Sequence, residues 1–514
     1  MSPVIDSAKS LLRHYRSPAF LQPAPHRAES QHAEQTETKI ERAEMVLLPT
    51  WLSWQELGPF HVLFSLLAGL CGCWLVAARR RRTKNDGEAL FAVILGISTG
   101  NPEYRVSKEQ AFRHAAGATD PSSPIARVLD RVYNNSRINN RYFCVPDLAA
   151  AGAGGGGSGL GEELREDDAA TQAMLAESIL AEEGGGGGQA AGADMFYPED
   201  GSLRVNTDRR FQRFAECALP LATEVAKRAL REVGVGPADV GRIVVVTSTG
   251  VCGPGLDGEL VKSIGLNHSV EREVVSFQGC GAGINGLRLA SQYAVTHPGR
   301  LALLVSVELP SLHMHKGDTV NDAILHAIFG DGCAVAVVAG RTARNAEPGS
   351  LAVLDNRSWL VDGTEDGIKM TFGDNGVSCT LSKRLPDYVK TNVADFVEEM
   401  LGAHGVDKGD VDFWALHPGG HRIVEETRKS LHLSLEETEG CWEVLRDYGN
   451  MVSATVLFVL ERALGQHKRL RENGVGDGRG LQHVVALSFS PGVTVEGLLL
   501  KAMPPVLAQP HGQC

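Results

Sequence analysis

Short apolar runs of β type alternate with helical segments along most of this 514-residue chain. Such alternation predicts a single α/β architecture in which helices cover the faces of a sheet whose strands pair largely in parallel. The predicted strands are 90–97, 244–248, 274–277, 301–307, 333–338, 413–416 and 484–488. The predicted helices are 208–233, 257–264, 283–296, 322–329, 389–401, 423–431 and 451–464, the first with Thr207 as its N-cap and a bend near Pro220.

The overall composition narrows the class of protein. With 43% apolar and 22% charged residues the chain is typical of a soluble α/β enzyme that carries appendages. Its formal net charge of −12, without a sustained basic face, argues against a nucleic-acid partner. The ten cysteines form no CxxC pair and follow no regular spacing, which favours a reducing compartment and predicts neither a disulfide framework nor a metal site.

The N-terminal region differs from the rest. Residues 1–59 are polar and are expected to be a disordered extension, whereas 60–78 contain no charged residue and would span roughly 28 Å as a helix. Arg79–Arg82 and Lys84 follow at once, so the positive-inside rule places the rest of the chain on the cytosolic side. We therefore expect a transmembrane helix at 60–82 and a catalytic domain anchored to a membrane, that of the endoplasmic reticulum.

Two alternatives to the anchor stay open. The apolar run is also compatible with a helix docked on the enzyme, or with the core of a targeting sequence whose removal leaves a cytoplasmic or plastid protein.

Further along the chain, residues 148–193 contain the glycine tracts Gly154–Gly157 and Gly184–Gly188 and interrupt the catalytic domain. We interpret this segment as a surface insertion or tether without chemistry.

Cys280 is the first candidate functional residue. It follows the apolar stretch 274–277 and precedes small residues that can open a helix. A thiol at the N-terminal end of a helix meets a partial positive charge, which lowers its pKa and favours the nucleophilic thiolate. We expect this thiol to accept an acyl group.

Two distant segments support that expectation. The strand predicted at 413–416 ends in His417, which is followed by Pro418-Gly419-Gly420, and Asn450 immediately precedes the predicted helix 451–464. Each polar group thus stands at the end of an element, beside glycines that let a substrate approach the backbone. A Cys, a His and an Asn delivered in this way can converge on one pocket, as acyl-transfer chemistry requires.

The sequence 281–286 also matches G-x-G-x-x-G, and Glu308 ends the next predicted strand. A dinucleotide site is therefore a competing hypothesis. However, the unit lies in the middle of the domain, and the motif explains neither His417 nor Asn450. The glycines are better explained by the room they leave beside Cys280 and by tight packing of the helix.

The turn 329–332 (FGDG) joins a predicted helix to a predicted strand. We expect Asp331 to act as a cap there and Phe329 to present its ring to the pocket.

Together these motifs resemble the type III polyketide synthases, the family of the chalcone and stilbene synthases. The resemblance runs from about residue 89 to 502, apart from the glycine-rich insertion, and the 137 positions from Cys280 to His417 and the 33 from His417 to Asn450 fit it. It rests on 278–280 (QGC), 329–332 (FGDG), 417–420 (HPGG), 447–451 (DYGNM) and 490–496 (SPGVTVE). It implies a thiolase fold, a five-layer αβαβα sandwich of two similar halves at 89–345 and 346–505, and a homodimer.

The resemblance also implies roles for single residues. Cys280 would accept the starter acyl group from its CoA thioester, with His417 keeping the thiol ionised. His417 and Asn450 would then donate hydrogen bonds to the malonyl thioester oxygen and stabilise the enolate formed as CO2 leaves. Phe329 would be a gate near the decarboxylating carboxylate. The substrates implied are malonyl-CoA and a starter acyl-CoA, with no metal and no redox cofactor.

The chain differs from the plant enzymes at positions expected to bind CoA and to line the substrate pocket. For the CoA phosphates it offers Arg131, with Arg137 and Arg141 nearby, in place of a lysine-containing stretch, and its loop 309–321 is shorter. Four pocket positions carry other side chains where the plant enzymes have Thr, Gly, Phe and Ser, namely His313, Met370, Cys379 and Val452. We expect a fatty-acyl or other acyl-CoA starter to be extended and cyclised to a resorcinol, phloroglucinol or pyrone.

Two other hypotheses stay open at this point. A membrane-bound 3-ketoacyl-CoA synthase of fatty-acid elongation shares the Cys, His and Asn chemistry, although the DYGNM and FGDG motifs fit the polyketide enzymes better. A non-catalytic scaffold anchored at a membrane is the alternative of another class, and the intact set of Cys280, His417 and Asn450 argues against it.

Overall fold

The computed structural model describes residues 89–117, 122, 124–150, 196–197, 205–315, 319–472 and 481–503. All of them belong to one compact unit that begins at Glu88. The extension expected at 1–59, the helix expected at 60–82 and all but the first residues of the insertion at 148–193 lie outside the described residues.

The described part of the chain contains thirteen strands, most of them close to the predicted ones. They are β1 (Phe91–Gly100), β2 (Tyr104–Ser107), β3 (Asn140–Phe143), β4 (Val240–Thr247), β5 (Glu271–Ser276), β6 (Leu301–Glu308), β7 (Gly332–Arg341), β8 (Leu351–Leu360), β9 (Ile368–Gly373), β10 (Gly376–Leu381), β11 (Val411–Leu416), β12 (His483–Ser490) and β13 (Thr494–Ala502).

Eleven α-helices lie in the same described ranges. They are α1 (Lys108–Gly117), α2 (Pro124–Asn135), α3 (Asp147–Ala150), α4 (Thr207–Glu232), α5 (Leu256–Ile264), α6 (Ala282–Thr296), α7 (Val320–Ile328), α8 (Leu385–Gly402), α9 (His421–Ser430), α10 (Glu439–Tyr448) and α11 (Thr455–Glu472). Helix α4 begins one residue earlier than predicted because Asn206, not Thr207, is the N-cap: its side chain accepts a hydrogen bond from the Arg209 N–H.

Nine strands form one sheet in the order β11-β12-β13-β8-β1-β7-β6-β4-β5. Only β11–β12, β4–β5 and β4–β6 pair in parallel, and the other five neighbours are antiparallel. The α/β class is confirmed, but the prediction of largely parallel pairing is wrong: the sheet is mixed. Two of the antiparallel pairs, β1–β7 and β6–β7, join strands that were predicted, so the alternation of elements did not give their direction. The other three involve β8 or β13, which were not predicted as strands; β8 carries a polar centre (Asp355-Asn356-Arg357) without alternation.

Two helices contact both parts of this sheet, namely β5, β4, β6, β7 and β1 in one part and β8, β13, β12 and β11 in the other. Helix α6 contacts β4, β6 and β7 on one side and β8 and β13 on the other, and α11 contacts β1 and β7 as well as β11 and β12. Helix α4 packs on the outer face of β1, β6 and β7, and α8 packs on β8 and β13. Strands therefore surround α6 and α11. The N-terminal end of α6 lies against the segment just before α11, where Gly283 meets the Ser453 carbonyl oxygen, and the candidate site forms there.

No helix in the described ranges is both long and apolar enough to cross a bilayer. The longest helices, α4, α8 and α11, carry charged side chains along their length. This finding corrects the prediction of a membrane-anchored protein at the endoplasmic reticulum, and the apolar run 60–78 lies outside the described residues.

Candidate active site

Cys280 lies in a tight turn between β5 and α6. The turn is a single 3-10 helix, Gly279–Gly281, and it follows a sharp reversal in which Phe277 and Gly279 both have positive φ, 61° and 56°. The Gly279 N–H donates to Ser248 Oγ (3.2 Å), and Ser488 Oγ donates to the Cys280 carbonyl (2.8 Å). The thiol is therefore fixed between the ends of β4 and β12, as the sequence predicted for a residue at the end of a strand.

His417 is the residue after β11. Its N–H donates to Leu487 O (2.8 Å), which continues the pairing with β12 by one residue, and its carbonyl accepts from the Gly419 N–H (2.9 Å). The side chain is 2% exposed, and neither ring nitrogen has a hydrogen-bond partner among the described residues. A buried imidazole with two unpartnered nitrogens is costly for stability, so it marks a place where a substrate atom is expected.

Asn450 follows the turn that ends α10. Its Oδ1 accepts from the Val452 N–H (2.9 Å) and from Thr455 Oγ1 (3.3 Å), while Nδ2 donates to Gly419 O (3.2 Å). These partners fix the orientation of the amide, because its acceptor side is occupied by donors. The Cys280 Sγ lies 3.9 Å from both Oδ1 and Nδ2.

A small space between these groups is kept free by Gly419. A Cβ atom on this glycine would lie 3.1 Å from His417 Nε2 and 3.7 Å from Asn450 Nδ2. Both nitrogens therefore lie next to the position that a side chain at 419 would occupy, and Asn450 Nδ2 is also 3.9 Å from the Cys280 Sγ. Two converging N–H groups in a water-poor site can stabilise an oxygen on which negative charge develops.

The three side chains open into one pocket, with about 1080 Å³ of space including its opening to solvent. All eight catalytic and pocket residues named from the sequence line it, so Phe329, His313, Met370, Cys379 and Val452 join Cys280, His417 and Asn450. Most of the remaining lining is apolar and was not predicted; it includes Leu325, Ile368, Val377, Leu381, Ile423 and Phe489. Their sequence contexts are those of ordinary core residues, so only the tertiary structure distinguishes them.

The turn that carries Phe329 is paired with the turn that carries Asn450. The Asn450 N–H donates to Ile328 O (2.8 Å), and the Gly330 N–H donates to Asn450 O (3.0 Å). A Cβ on Gly330 would lie 2.6 Å from Tyr448 O, and one on Gly449 would lie 2.7 Å from Ile328 O. The glycines of FGDG and DYGN therefore permit the close approach of the two turns, from which Phe329 and Asn450 both line the pocket.

The three arginines expected near the CoA phosphates are in different surroundings. Arg131 is exposed on α2 and does not line the pocket, and Arg137 is also exposed, with its guanidinium 4.4 Å from the centre of the Trp442 ring. Arg141 is 1% exposed and donates to His326 O (2.6 Å) and Phe329 O (2.8 Å). Arg141 is therefore not available to a CoA phosphate. It is a buried residue that holds the end of α7.

Burial dominates the electrostatics of the catalytic candidates. It raises the pKa of the Cys280 thiol, with a smaller contribution from the nearby Cys379 thiol, and it lowers the pKa of His417 to about 3. The helix N-terminus expected to lower the pKa of the thiol is thus outweighed by desolvation, which raises it. The Asn450 amide acts in the opposite direction and lowers the pKa of the Cys280 thiol, but by less than burial raises it.

Two buried carboxyl groups near the pocket have structural partners. Burial raises the pKa of Glu308 to about 7 and that of Asp331 to about 6. Glu308 accepts from the Ser248 N–H and from Ser453 Oγ, and Asp331 accepts from the Cys144 N–H and from the N–H and Oγ of Ser311. Asp331 therefore joins separate segments of the chain, a larger role than the local cap that the sequence predicted.

The dinucleotide hypothesis is not supported by the surroundings of the glycines in 281–286. Gly283 packs directly against the carbonyl oxygen of Ser453, and a Cβ on Gly286 would lie 2.5 Å from Leu304 Cδ1. Both glycines thus allow α6 to pack closely against the chain and leave no space for a pyrophosphate, while Glu308 is buried with partners of its own.

Known protein families match the chain across its described part. Residues 201–342 match the family model of the chalcone and stilbene synthases, N-terminal domain, and residues 355–504 match that of their C-terminal domain. The chain is 36% identical over 410 residues to the α-pyrone synthesis polyketide synthase-like Pks18 of Mycobacterium tuberculosis, an alignment that covers 79% of this chain and 90% of that protein. It is 31% identical over 314 residues to type III polyketide synthase A of Arabidopsis thaliana, covering 60% and 77%.

Solved structures give the same result. PKS-I from the brown alga Ectocarpus siliculosus superposes with a TM-score of 0.71 at 42% sequence identity, covering 81% of this chain and all of the algal one. The thiolase-like α/β fold expected from the sequence is thereby confirmed. These relationships also decide against the elongase and the scaffold. The chain belongs to the type III polyketide synthases, the condensing acyltransferases that extend CoA thioesters with malonyl-CoA and include the chalcone and stilbene synthases.

Proposed function

We propose that this enzyme loads an acyl-CoA starter on Cys280, extends it with malonyl-CoA in the apolar pocket and cyclises the product. The observation that carries the proposal is that Cys280, His417 and Asn450 line one pocket, in which Asn450 Nδ2 lies 3.9 Å from Cys280 Sγ and borders, together with His417 Nε2, the space kept free by Gly419. The role of each residue is part of the proposal.

Loading begins with proton transfer from the Cys280 thiol to His417. The thiolate attacks the thioester carbonyl of the starter, the bond from that carbonyl to the CoA sulfur breaks, and the CoA thiolate takes a proton from solvent. His417 keeps the proton it received. The acyl group is then held on Cys280 and faces the apolar walls of the pocket.

Extension uses the same two nitrogen donors. The bond from the malonyl methylene carbon to its carboxylate breaks, CO2 leaves, and the electron pair passes into the thioester as an enolate whose oxygen accepts hydrogen bonds from His417 Nε2 and Asn450 Nδ2. The enolate carbon attacks the acyl carbonyl on Cys280, so a carbon–carbon bond forms and the bond to sulfur breaks. The ring of Phe329, held beside Asn450, would exclude water from the carboxylate that is lost.

We infer that the starter is a fatty-acyl or other largely apolar acyl-CoA and that the product is a resorcinol, a phloroglucinol or a pyrone. The pocket supports this inference, because most of its wall is apolar and can cover a hydrocarbon chain. The name of the mycobacterial relative specifies α-pyrone synthesis, which makes a pyrone the first product to look for.

Three further features belong to the proposal. Arg131, exposed on α2, would contact the CoA phosphates from outside the pocket. The halves 89–345 and 346–505 would form the five-layer sandwich, for which the strands on both sides of α6 are the supporting observation. The enzyme would act as a homodimer, as is typical of the family, and sedimentation at twice the chain mass of 55.0 kDa is the result expected.

The test is an incubation of the whole chain with radiolabelled malonyl-CoA and a panel of acetyl-, medium-chain, long-chain and aromatic acyl-CoA starters. We expect cyclised products from the apolar starters, and complete loss of them in Cys280→Ala. Cys217→Ala removes a thiol on α4 that does not line the pocket, and it should retain the wild-type product profile. Products from aromatic starters alone would contradict the fatty-acyl proposal, and a single-round β-ketoacyl-CoA would contradict cyclisation.

A further inference from the structure

One wall of the pocket is a hairpin that stands outside the main sheet. Strands β9 and β10 pair only with each other among the described strands, in a register that places Ile368 opposite Leu381 and Met370 opposite Cys379. Since side chains alternate along a strand, these residues share one face with Val377, and that face lines the pocket. A two-stranded hairpin is marginally stable alone, so other contacts must fix its position.

The face of this hairpin approaches the nucleophile. A Cβ placed on Gly279, the neighbour of Cys280, would lie 3.5 Å from Met370 Sδ. The Cys379 thiol is close enough to Cys280 to raise the pKa of the catalytic thiol. A displacement of the hairpin therefore changes the width of the space in which an acyl chain on Cys280 must fit.

The free edge of β10 is held by side chains from the segment that precedes and begins α7. The Val377 N–H donates to His313 Nδ1 (3.1 Å), and His315 Nε2 donates to Val377 O (3.2 Å). His313 Nε2 in turn donates to Thr249 O (2.7 Å), so the ring links the hairpin to the loop after β4. Burial lowers the pKa of His313 to about 4, which keeps the ring neutral and Nδ1 an acceptor at neutral pH.

Asn321 makes the contact nearest to Cys379. Its Nδ2 donates to Cys379 O (2.7 Å), and its Oδ1 accepts from the Leu381 N–H (3.1 Å). The two bonds lie on either side of Thr380, as those from a neighbouring strand would, and they allow only one orientation of the amide. Asn321 belongs to α7, the helix that also presents Leu325 and His326 to the pocket.

We propose that Asn321 is a positioning residue that sets the width of the acyl pocket by fixing β10 to α7, and so determines which starters are accepted. The proposal rests on the proposed function, because it concerns starter choice at the same site. Asn321 does not line the pocket, so its influence on substrates has to pass through Cys379 and Leu381. Without the amide, the edge of β10 would exchange two fixed hydrogen bonds for contacts with water and could move outward.

The experiment compares Asn321→Ala with Asn392→Ala, which removes a half-exposed amide that donates to Tyr388 O and Thr391 Oγ1 on its own helix, α8. For each variant, kcat/KM is measured with a short and a long acyl-CoA starter, together with the rate of malonyl-CoA decarboxylation. We expect the long-to-short ratio to change at least fivefold in Asn321→Ala, while decarboxylation stays within twofold of wild type. Asn392→Ala should leave both unchanged.

A second readout does not need turnover. In a Cys280→Ala background, the rate at which a bulky maleimide labels Cys379 is followed by peptide mass spectrometry, and Asn321→Ala should raise it at least fivefold. If Asn321→Ala does not fold, Asn321→Asp replaces it, because it is isosteric and keeps the acceptor for Leu381 while losing the donor to Cys379 O. Unchanged starter ratios with unchanged labelling would overturn the proposal. If the wild-type chain fails to make polyketides, the labelling result still decides whether Asn321 fixes the hairpin.

Discussion

At the scale of single residues, the site combines groups that are unfavourable in isolation. A thiol whose pKa is raised by burial and an imidazole whose pKa is lowered by burial are both neutral when separate. They become useful as a pair, since transfer of one proton creates two opposite charges in a low-dielectric pocket. The same imidazole and the Asn450 amide then face the space beside Gly419.

The dependence of Cys280 on His417 is directly testable. In His417→Gln, the thiol has no nearby base to offset its raised pKa, so alkylation by iodoacetamide at pH 7 should be at least about tenfold slower than in wild type and should rise steadily up to pH 9. Peptide mass spectrometry of Cys280 against time gives the rate. His404→Gln, which affects a hydrogen bond between His404 Nε2 and Asp355 Oδ2 (2.9 Å) near the surface, serves as the control. Equal rates in His417→Gln and wild type at pH 7 would exclude His417 as the partner of the thiol.

Gly419→Ala tests the space between the two donors. The added Cβ would lie 3.1 Å from His417 Nε2, where the enolate oxygen is expected, so malonyl-CoA decarboxylation should fall about 10²- to 10³-fold while the thermal unfolding midpoint changes little. Gly409→Ala is a matched control, because a Cβ at Gly409 meets no atom within 4 Å. Retention of more than a tenth of the wild-type decarboxylation rate would contradict an oxyanion-stabilising role for this space.

At the scale of elements, the pocket depends on how helices and strands end. Helix α7 ends at Ile328, and the carbonyl oxygens of His326 and Phe329 at this end both accept from the buried Arg141 guanidinium. A cation at a helix C-terminus also interacts favourably with the helix dipole. This buried arginine therefore holds the end of the element from which Phe329 enters the site.

Removing that cation should destabilise the enzyme as well as the site. Arg141→Met leaves two buried carbonyl groups without their donor, and we expect it to lower the free energy of unfolding by about 2–4 kcal/mol. Arg141→Lys keeps the charge but loses the forked arrangement of N–H donors, so its free energy of unfolding should lie between those of wild type and Arg141→Met. Urea unfolding followed by circular dichroism measures the change, with the exposed Arg131→Met as control, expected within about 0.5 kcal/mol of wild type. A loss below 1 kcal/mol in Arg141→Met would show that the carbonyls find other partners.

At the scale of the whole molecule, the active site lies where the two parts of the sheet share their central helices. Cys280 comes from the first half, His417 and Asn450 from the second, and α6 contacts strands of both. Gly283, in the first turn of α6, packs on the Ser453 carbonyl oxygen just before α11. The geometry of the catalytic groups is therefore coupled to the packing of the two halves.

Gly283→Ala should separate this coupling from local helix preference. Alanine has a higher helix propensity than glycine, but here its Cβ would collide with a backbone oxygen. We therefore expect the free energy of unfolding to fall by about 1–3 kcal/mol, with a single unfolding transition at a lower temperature than in wild type. Gly402→Ala, at the end of α8 with no atom within 4 Å of the added Cβ, should be neutral or slightly stabilising. Differential scanning calorimetry gives both results. Two separate transitions in Gly283→Ala would mean that the halves fold independently.

The sequence by itself determined the strand and helix segments with strong apolar patterns, the turns rich in glycine and the identity of Cys280, His417 and Asn450, because these properties depend on neighbouring residues. It did not determine the order of the strands. The polar centre of β8 has no local strand signal, and β8 and β13 acquire their places only by pairing across the molecule. Nor did it identify Arg141 as a buried donor or the clamp made by Asn321. Only the tertiary structure decided those roles, because burial and hydrogen-bond partners are set by residues tens to hundreds of positions away.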